Sequence, residues 1–309
     1  MRALLITNPQ ATSSNQLRRD VIVSALASEI DLKVVETRYR GHAGALASGA
    51  VTDGLDLVVT LGGDGTVNEA VNGLLRAPGA AGERPALAPI PAGNGNVFIR
   101  SLGLPADPVE ATGHILAAIS SGRSRRIGLG LAGDRYFTFS AGLGLDAEVI
   151  RAMEGLRASG RKASDALYMW TTFRQYYSVT DRRHPALTLE RKGHDPLDGL
   201  FMAVVSNTAP WTYLGSRPVN PSPLANFDTG LDVFALRRLR TVSTAQVLRR
   251  MLANRNTPPN GRHVVNLHDE SGFTLRSGRP IAWQVDGEYM GEHEYVAFRS
   301  VPQALRVTV

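Results

Sequence analysis

The N-terminal part of the chain alternates short apolar runs with segments of helical pattern. Apolar runs at 3–7, 32–37, 57–61 and 86–90 predict strands, and helical patterns at 15–29, 42–51 and 66–76 lie between them. Strands this apolar, alternating with helices, are typical of a parallel sheet that is covered on both faces. The sequence therefore predicts an α/β domain with a mostly parallel sheet.

After Gly122 the pattern changes to short alternating stretches separated by Gly, Pro, Asn and Asp. Such stretches predict antiparallel strands of a sandwich or barrel. The predicted strands are 125–131, 136–141, 186–190, 201–206, 231–236, 264–268, 273–276 and 281–285, with helical patterns at 165–177 and 241–253. We therefore predict an α/β domain at 1–123 and a mostly-β sandwich domain at 124–309.

Composition narrows the class of protein. The 309 residues are 43% hydrophobic and 20% charged, which is ordinary for a soluble globular protein. No apolar stretch approaches the roughly 20 residues that span a bilayer, so we expect no integral membrane segment. The absence of cysteine excludes disulfides, thiolate catalysis and zinc–thiolate sites, and fits a cytoplasmic protein.

The net charge of +6 favours anionic partners such as ATP, lipid head groups or nucleic acid. The basic residues form only small clusters, at 123–126, 237–240 and 249–250, which we interpret as solvated surface. We expect contact with an anionic membrane at its inner, cytoplasmic face and no nucleic-acid partner. The oligomeric state, including a homodimer, stays open.

The strongest candidate for chemistry is the run Gly62-Gly63-Asp64-Gly65-Thr66-Val67-Asn68-Glu69, which follows the strand at 57–61. Its three glycines allow a tight turn and a close backbone approach to a ligand. Thr66 is predicted to cap the next helix, whose N-terminus suits a phosphate. Asp64 is placed to hold water or Mg²⁺ beside that phosphate. A plain strand–turn–helix connection is the alternative for this motif alone.

Other strand ends carry small polar residues as well. Gly93-Asn94-Gly95-Asn96 follows the strand at 86–90, Asn8 ends the first strand and Thr37 the second. Ligands of parallel sheets bind at the carboxyl ends of the strands. These loops together therefore predict one phosphate-binding crevice.

Near the C-terminus, Asp286-Gly287-Glu288 follows an apolar strand. An ordinary aspartate is ionised at neutral pH and can accept a proton from an alcohol. The alternative is an Asp-Gly β-turn between two strands.

Together, Asn8-Pro9, the run 62–69, the loop 91–96 and Asp286-Gly287-Glu288 resemble, in order and spacing, the diacylglycerol kinase catalytic-domain family. That family includes bacterial lipid kinases, ceramide kinases and sphingosine kinases. The resemblance implies a phosphofructokinase-like α/β domain, a C-terminal β-sandwich and an ATP cleft between them. It implies phosphoryl transfer from ATP, with Mg²⁺, to a lipid hydroxyl of a diacylglycerol-like or sphingoid acceptor.

The resemblance also implies roles for individual residues. Asp286 would be the general base. The implied ATP contacts are Asn8, Thr37, Gly62, Gly63, Asp64, Gly65, Thr66, Val67, Asn68, Glu69, Gly93, Asn94, Gly95, Asn96 and Glu288. Metal binding would involve Asp64 through water, with Asp228 and Asp232 as a secondary site.

Three positions depart from the family pattern. Val97 and Gly128 stand where many members have an aspartate of the Mg²⁺ network, and Asn94 replaces the usual Thr or Ser. A nucleotide- or lipid-binding protein without catalysis therefore remains an alternative. An NAD kinase-like enzyme is another, since NAD kinases share the Gly-Gly-Asp-Gly turn. Against the latter, Asn68-Glu69 follows the turn immediately here.

Overall fold

The computed structural model describes residues 1–9, 16–79, 84–93, 95–158, 184–253 and 256–309. The chain divides into two compact units. The first comprises Met1–Leu129 and Pro302–Val309, and the second comprises Gly130–Val301. The division differs from the predicted domains 1–123 and 124–309 in two respects: the internal boundary lies after Leu129, and the last eight residues belong to the first unit.

The first unit alternates strands and helices as the sequence predicts. Its elements in chain order are β1 (Arg2–Thr7), α1 (Gln16–Ala27), β2 (Asp31–Glu36), α2 (His42–Thr52), β3 (Leu57–Gly62), α3 (Asp64–Arg76), β4 (Ala86–Pro91), α4 (Val97–Ser101) and α5 (Pro108–Ser120). The sequence analysis missed α4 and α5. The start of α5 had a local signal, because Asp107 accepts hydrogen bonds from the backbone N–H groups of Val109 and Glu110 and a proline follows it directly.

The strands of this unit form a parallel sheet in the order β4-β3-β1-β2. The C-terminal end of the chain adds to its edge, where Val307 pairs in parallel with Leu87. Strands β3 and β4 are buried along their whole length, as the apolar runs predict. Alternate side chains of β3, such as Leu57 and Val59, pack in one cluster with residues of α1 and α5. Helices α2 and α3 pack against each other.

The second unit is rich in strands and has two described helices. Its elements follow β5 (Arg125–Ala132), which begins in the first unit, and are β6 (Arg135–Phe137), β7 (Ser140–Gly144), α6 (Leu145–Ala158), β8 (Leu187–Glu190), β9 (Leu197–Leu200), β10 (Met202–Ser206), β11 (Thr212–Leu214), β12 (Arg217–Val219), β13 (Leu231–Leu236), α7 (Thr241–Met251), β14 (Val264–Glu270), β15 (Gly272–Val285) and β16 (Glu288–Val307).

Antiparallel pairing dominates this unit. Strands β14, β13, β10, β7, β15 and β16 are neighbours in that order. The first half of β15 also pairs with β8, and its second half pairs with β7. One core cluster contains residues of β7, β8, β10, β13, β15 and β16, including Leu143, Leu189, Val205 and Phe298. The second unit is therefore the strand-rich, mostly antiparallel region that the sequence predicts.

Several predicted strands have different bounds. The predicted strands 273–276 and 281–285 form one strand, β15, with a register shift between Arg276 and Ile281. The predicted strand 136–141 is two strands that break at Thr138 and Phe139. The longest strand, β16, was missed because polar and exposed residues interrupt its apolar pattern. The predicted helix 165–177 lies outside the described residues.

Within the described ranges, no helix is both long and apolar enough to cross a membrane.

Candidate functional site

The sheet of the first unit changes direction between β1 and β3. Strand β1 lies between β2 and β3, so the chain crosses over β1 when it passes from β2 to β3. In open α/β sheets, ligands bind beside the carboxyl ends of the strands at such a switch point. Asn8 follows β1 and Gly63 follows β3 at this position, and the Asn8 N–H donates to the Leu61 carbonyl at 3.1 Å.

Asn8 also binds the Gly-rich run through its side chain. Its Nδ2 donates to Thr66 Oγ1 at 3.2 Å. The prediction that Thr66 caps the helix is wrong, because α3 already begins at Asp64 and its N-cap is Gly63, with no side-chain cap. Helix α3 thus begins two residues earlier than predicted, and its N-cap Gly63 has an ordinary extended backbone. Gly63 offers no side chain to the first N–H groups of α3.

The two Gly-rich loops touch each other through their backbones. A Cβ atom added at Gly93 would lie 2.7 Å from the Gly63 Cα, and one at Gly63 would lie 3.4 Å from the Gly93 Cα. Only glycine permits the first of these approaches. The loops after β3 and β4 therefore form one continuous surface, as the sequence predicts.

Asp64 joins the same two loops by its carboxylate. Oδ2 accepts from the Val97 N–H at 3.1 Å and Oδ1 from the Phe98 N–H at 3.2 Å. These are the first amides of α4, so Asp64 caps that helix, and its charge is favourable at the helix N-terminus. The sequence analysis missed this role since α4 itself was missed.

Asn96 closes the second loop on itself. Its Nδ2 donates to the Gly93 carbonyl at 2.7 Å and its Oδ1 accepts from the Gly93 N–H at 3.1 Å. Asn96 has a positive φ of 47°, a conformation that asparagine tolerates better than most residues. Gly95 is exposed beside Asp64, and Asn94 lies outside the described residues.

Glu69 caps a different helix. Its Oε1 accepts from the Gly41 N–H at 2.7 Å and its Oε2 from the Ala43 N–H at 3.2 Å. Both amides belong to the start of α2, whose N-cap residue Gly41 has a φ of 90° and no side chain to cap with. The structure thus uses Glu69 to connect α2 with α3.

The remaining predicted nucleotide contacts of this unit differ in exposure. The side chains of Val67 and Asn68 are fully buried, and Asn68 Oδ1 accepts from Asn72 Nδ2 at 3.2 Å within α3. Gly65 is partly exposed in the first turn of the helix. Thr37 is partly exposed after β2, where its N–H donates to the Thr7 carbonyl at 2.8 Å.

In the second unit, Asp286 and Gly287 form the two-residue turn of the hairpin that joins β15 and β16. Val285 pairs with Glu288 across the turn, and the two central residues have φ values of 47° and 77°. Positive φ at both positions is typical of a type I′ turn, in which Asp-Gly is favoured. The Asp-Gly turn considered in the sequence analysis is therefore present.

The side chain of Asp286 is nevertheless turned inward. Its residue is only 4% exposed, and its carboxylate accepts four hydrogen bonds. Oδ2 accepts from the Thr138 N–H at 2.7 Å and the Thr138 hydroxyl at 2.8 Å. Oδ1 accepts from the N–H groups of Phe139 at 3.0 Å and Ser140 at 3.1 Å. Burial raises the pKa of Asp286, and the hydrogen bonds from these donors oppose that rise.

These bonds explain why the predicted strand 136–141 is broken. The amides of Thr138 and Phe139 point to a carboxylate instead of a neighbouring strand. Asn207, which the sequence analysis missed, holds the same segment from the other side. Its Nδ2 donates to the Thr138 carbonyl at 2.9 Å, and its N–H donates to the Phe139 carbonyl at 2.8 Å. The only sequence signal was a polar pair, Ser206-Asn207, directly after an apolar strand.

Glu288 lies after the same turn and is 20% exposed at its side chain. Its Oε2 is 3.3 Å from Arg135 Nη2, so the two form an ion pair at the partly buried base of the hairpin. Glu288 therefore has a cationic partner within its own unit.

The candidate secondary metal residues lie in different environments. Asp228 is exposed in a turn, where its N–H donates to Asn226 Oδ1 at 3.0 Å. Asp232 is 3% exposed, and its Oδ1 is 2.7 Å from His268 Nδ1. Burial raises the pKa of Asp232. Across the described ranges, no group of three or more His, Cys, Asp or Glu side chains is arranged to hold a metal ion.

The N-terminal part of the chain is similar to known proteins. The model of the diacylglycerol kinase catalytic domain matches residues 2–131. A protein named "Diacylglycerol kinase" from Staphylococcus saprophyticus is 33% identical over 140 residues, which are 44% of this chain and 43% of that protein. A "Probable lipid kinase YegS-like" from Chromohalobacter salexigens is 40% identical over 116 residues, or 37% and 35% of the two chains. The aligned segments span less than half the length of these relatives.

The similarity in fold extends further. A solved structure from Bacillus anthracis strain Sterne covers 99% of this chain and 96% of its own, with a TM-score of 0.74 and 23% identity. At this identity the likeness shows the fold alone, and it confirms the predicted class of an α/β region followed by a strand-rich region. Over residues 2–131, where the Gly-rich loops lie, the chain is similar to the diacylglycerol kinase catalytic domain.

Proposed function

We propose that this protein is an ATP-dependent lipid kinase that transfers the γ-phosphoryl group to a lipid hydroxyl. The observation that carries the proposal is the contact between the loops after β3 and β4, at Gly63 and Gly93, within the segment that matches the family. Loops of this kind leave backbone N–H groups free to bind phosphate oxygens. The acceptor class is a diacylglycerol-like or sphingoid lipid.

In this proposal the nucleotide binds along the first unit. The first turn of α3 lies next to Asn8 and Thr66, and its N-cap residue Gly63 carries no side chain that would keep a phosphate away from the first amides. The loop from Gly93 to Asn96 would contact ATP on the other side of the same surface. Glu69 and Asp64 fix the positions of α2 and α4, so they support the loops whether or not they touch the nucleotide.

Mg²⁺ fits this arrangement as an ion held mainly by ATP. Magnesium commonly keeps several water ligands and is bound through one or two carboxylates and the substrate phosphates. Asp64 supplies one carboxylate beside the loops, where it also accepts from the first amides of α4. When bound, the ion would neutralise charge on the phosphates, and Asp64 would hold it through water.

Asp286 is the general base of the proposal, and its hydrogen bonds set a condition for that role. A carboxylate has about four lone-pair positions, and four donors already occupy them. Three of the donors are backbone amides that cannot turn away. The fourth, the Thr138 hydroxyl, can rotate about its C–O bond. Its rotation would free one position on Oδ2 for the hydroxyl of the lipid.

The same geometry favours one second candidate, a nucleotide- or lipid-binding protein without catalysis. If the Thr138 hydroxyl does not rotate away from Oδ2, Asp286 is a structural aspartate that holds the segment 138–140. The two candidates differ in turnover and not in ATP binding.

The test is incubation of the protein with labelled ATP, Mg²⁺ and a panel of lipids, with NAD as a further acceptor. Chromatography then separates the phosphorylated products. Labelled lipid supports the proposal and identifies the acceptor class. Labelled NAD would instead support an NAD kinase, and ATP binding without any labelled product would support the binding protein.

A further inference from the structure

A long stretch of the second unit carries positive charge without any compensating carboxylate. Residues 233–268 contain the arginines 237, 238, 240, 249, 250, 255 and 262, and no aspartate or glutamate. These seven charges exceed the net charge of +6 of the whole chain. The positive charge of the protein is therefore concentrated and not evenly distributed.

The structure brings these arginines together around α7. Of the seven, the six that the structure describes are exposed. The Arg237 N–H donates to the His263 carbonyl at 2.9 Å, which joins the segment before α7 to the segment after it. Burial, together with the charges of Arg238, Arg262 and Arg240, lowers the pKa of His263. All three arginines therefore act on the same imidazole, although Arg262 is distant in sequence from the other two.

The arginines are also not neutralised by neighbours. In the part of the chain that the structure describes, Arg237, Arg238, Arg240, Arg249 and Arg262 make no ion pair with a carboxylate. Arg250 binds only the backbone carbonyl and side chain of Asn260. Their charge is thus available to an external anion.

Helix α7 adds apolar groups to this charged surface. It packs on the second unit through Val247 and Met251, which are 7% exposed each. Val242 is 71% exposed and Leu248 is 41% exposed. Val242, Ala245 and Arg249 are separated by three and four positions, so they share a face away from Val247. The outer side of α7 therefore combines apolar residues with arginine.

We infer that the outer side of α7, with Arg237, Arg238, Arg240, Arg249 and Arg262, docks the protein on a bilayer of anionic phospholipid. This inference rests on the proposed function, because the acceptor of a lipid kinase lies in a membrane. Clustered arginines are attracted to anionic lipid, and exposed apolar side chains between them can enter the interface. Nucleic acid is the less suitable partner because its phosphate backbone offers nothing for Val242 and Leu248 to bury against.

The test is sedimentation with vesicles, in the absence of ATP and lipid acceptor. The parent is compared with the triple variant Arg240→Gln, Arg249→Gln, Arg262→Gln on vesicles of phosphatidylcholine with and without 30% phosphatidylglycerol. Each arginine near an anionic surface is worth about fivefold in binding, so the triple variant should lose on the order of 100-fold. The double variant Val242→Ser, Leu248→Ser should also weaken binding. The size of this loss should depend less on salt concentration than the loss in the arginine variant.

A matched control removes the same charge elsewhere, through Lys33→Gln, Arg123→Gln and Lys192→Gln, which replace exposed residues outside 233–268. Melting temperatures verify that all variants are folded. Equal loss in the control and the α7 variant would overturn the assignment of this surface, as would unchanged binding of the α7 variant. Binding of duplex DNA with the same arginine dependence, and no vesicle binding, would overturn it in favour of nucleic acid.

The result is separable from the proposed function, because sedimentation requires no turnover. If the parent protein phosphorylates lipid in neutral detergent micelles but does not bind vesicles, the docking surface is ruled out and the proposed function stands. If the parent protein binds vesicles through α7 but has no kinase activity, the proposed function is ruled out and the docking surface stands.

Discussion

The carboxylate of Asp286 accepts hydrogen bonds from both the backbone N–H and the hydroxyl of Thr138, at 2.7 and 2.8 Å. Whether Asp286 can act as a base or only as a structural residue depends on whether one of these two bonds can be broken. The backbone bond is fixed, and the hydroxyl bond can be exchanged for one from a substrate. The roles of the two residues can therefore be separated by mutation.

We predict that Asp286→Asn reduces kcat by about 10²–10⁴-fold while ATP affinity changes only a few-fold, as expected for loss of a general base. The variant should also melt at a lower temperature. An amide group presents its own N–H₂ to the backbone donors, and each donor left unsatisfied costs about 1–3 kcal/mol. Lipid-dependent turnover, ATP binding and melting are measured on the same preparation.

Thr138→Val is the matched variant for this pair. It removes the hydroxyl donor but keeps the backbone N–H, so the negative charge of Asp286 remains. We expect turnover to fall less than tenfold. If Asp286→Asn and Thr138→Val lose activity in proportion to their melting temperatures, the aspartate is structural and the base has to be sought elsewhere.

The acid limb of the pH profile gives an independent test of Asp286. Burial raises its pKa above the ordinary value of about 3.9, and a base must be unprotonated to act. Turnover should therefore decline, as the pH is lowered, at a higher pH than for an ordinary aspartate. A raised pKa in the folded state means that the folded protein binds this proton more tightly than the unfolded chain does. Protonation of Asp286 then favours the folded state, so melting temperature should not fall with activity in this range.

Asp64→Ala should affect both stability and nucleotide binding. The sequence alone assigns this carboxylate to water or Mg²⁺ beside a phosphate. The structure shows that it caps α4 through Val97 and Phe98. Loss of such a cap costs about 0.5–2 kcal/mol. We expect a lower melting temperature and loss of transfer in Asp64→Ala. An unchanged melting temperature would show that the cap contributes nothing, and unchanged turnover would remove Asp64 from the site.

The contact between the two loops is tested by Gly93→Ala. The new Cβ would lie 2.7 Å from the Gly63 Cα, so the loops must separate, and ATP affinity should fall at least tenfold. Gly113→Ala is the control in the same unit. A Cβ at Gly113 meets no atom within 4 Å, and alanine in a helix is favoured over glycine by about 1 kcal/mol. That variant should keep its ATP affinity and melt no lower than the parent. Equal ATP affinity in both variants would mean that the loops do not bind the nucleotide together.

Much of the first unit was predictable because its strands are short, apolar and buried on both faces. The sites of the Gly-rich loops followed from the ends of those strands. The roles of Asp64 and Glu69 did not follow, because each carboxylate caps a helix that lies far from it in the sequence. Local patterns also cannot show that residues 302–309 return to the first unit, where Val307 pairs with Leu87.

The second unit was less predictable, for reasons that can be stated for single residues. Ser277 to Pro280 looked like a break between two strands, but β15 continues through it with a change of register. Thr138 and Phe139 looked like the middle of a strand, but their amides serve Asp286. In both places a long-range partner decided the structure. The sequence made Asp286 a candidate because it follows an apolar strand, but it gave no indication that the side chain is buried.

Transfer of phosphate from ATP to a lipid is tested by the ratio of labelled lipid phosphate formed to ADP released. The parent protein is incubated with γ-labelled ATP and Mg²⁺ in neutral mixed micelles, with and without diacylglycerol or a sphingoid base. We predict that ADP release depends on one of these lipids and that labelled lipid accounts for it in about a one-to-one ratio. Release of ADP that is independent of lipid, or ATP binding with no labelled lipid from either acceptor, would show that the protein is not a kinase for these lipids.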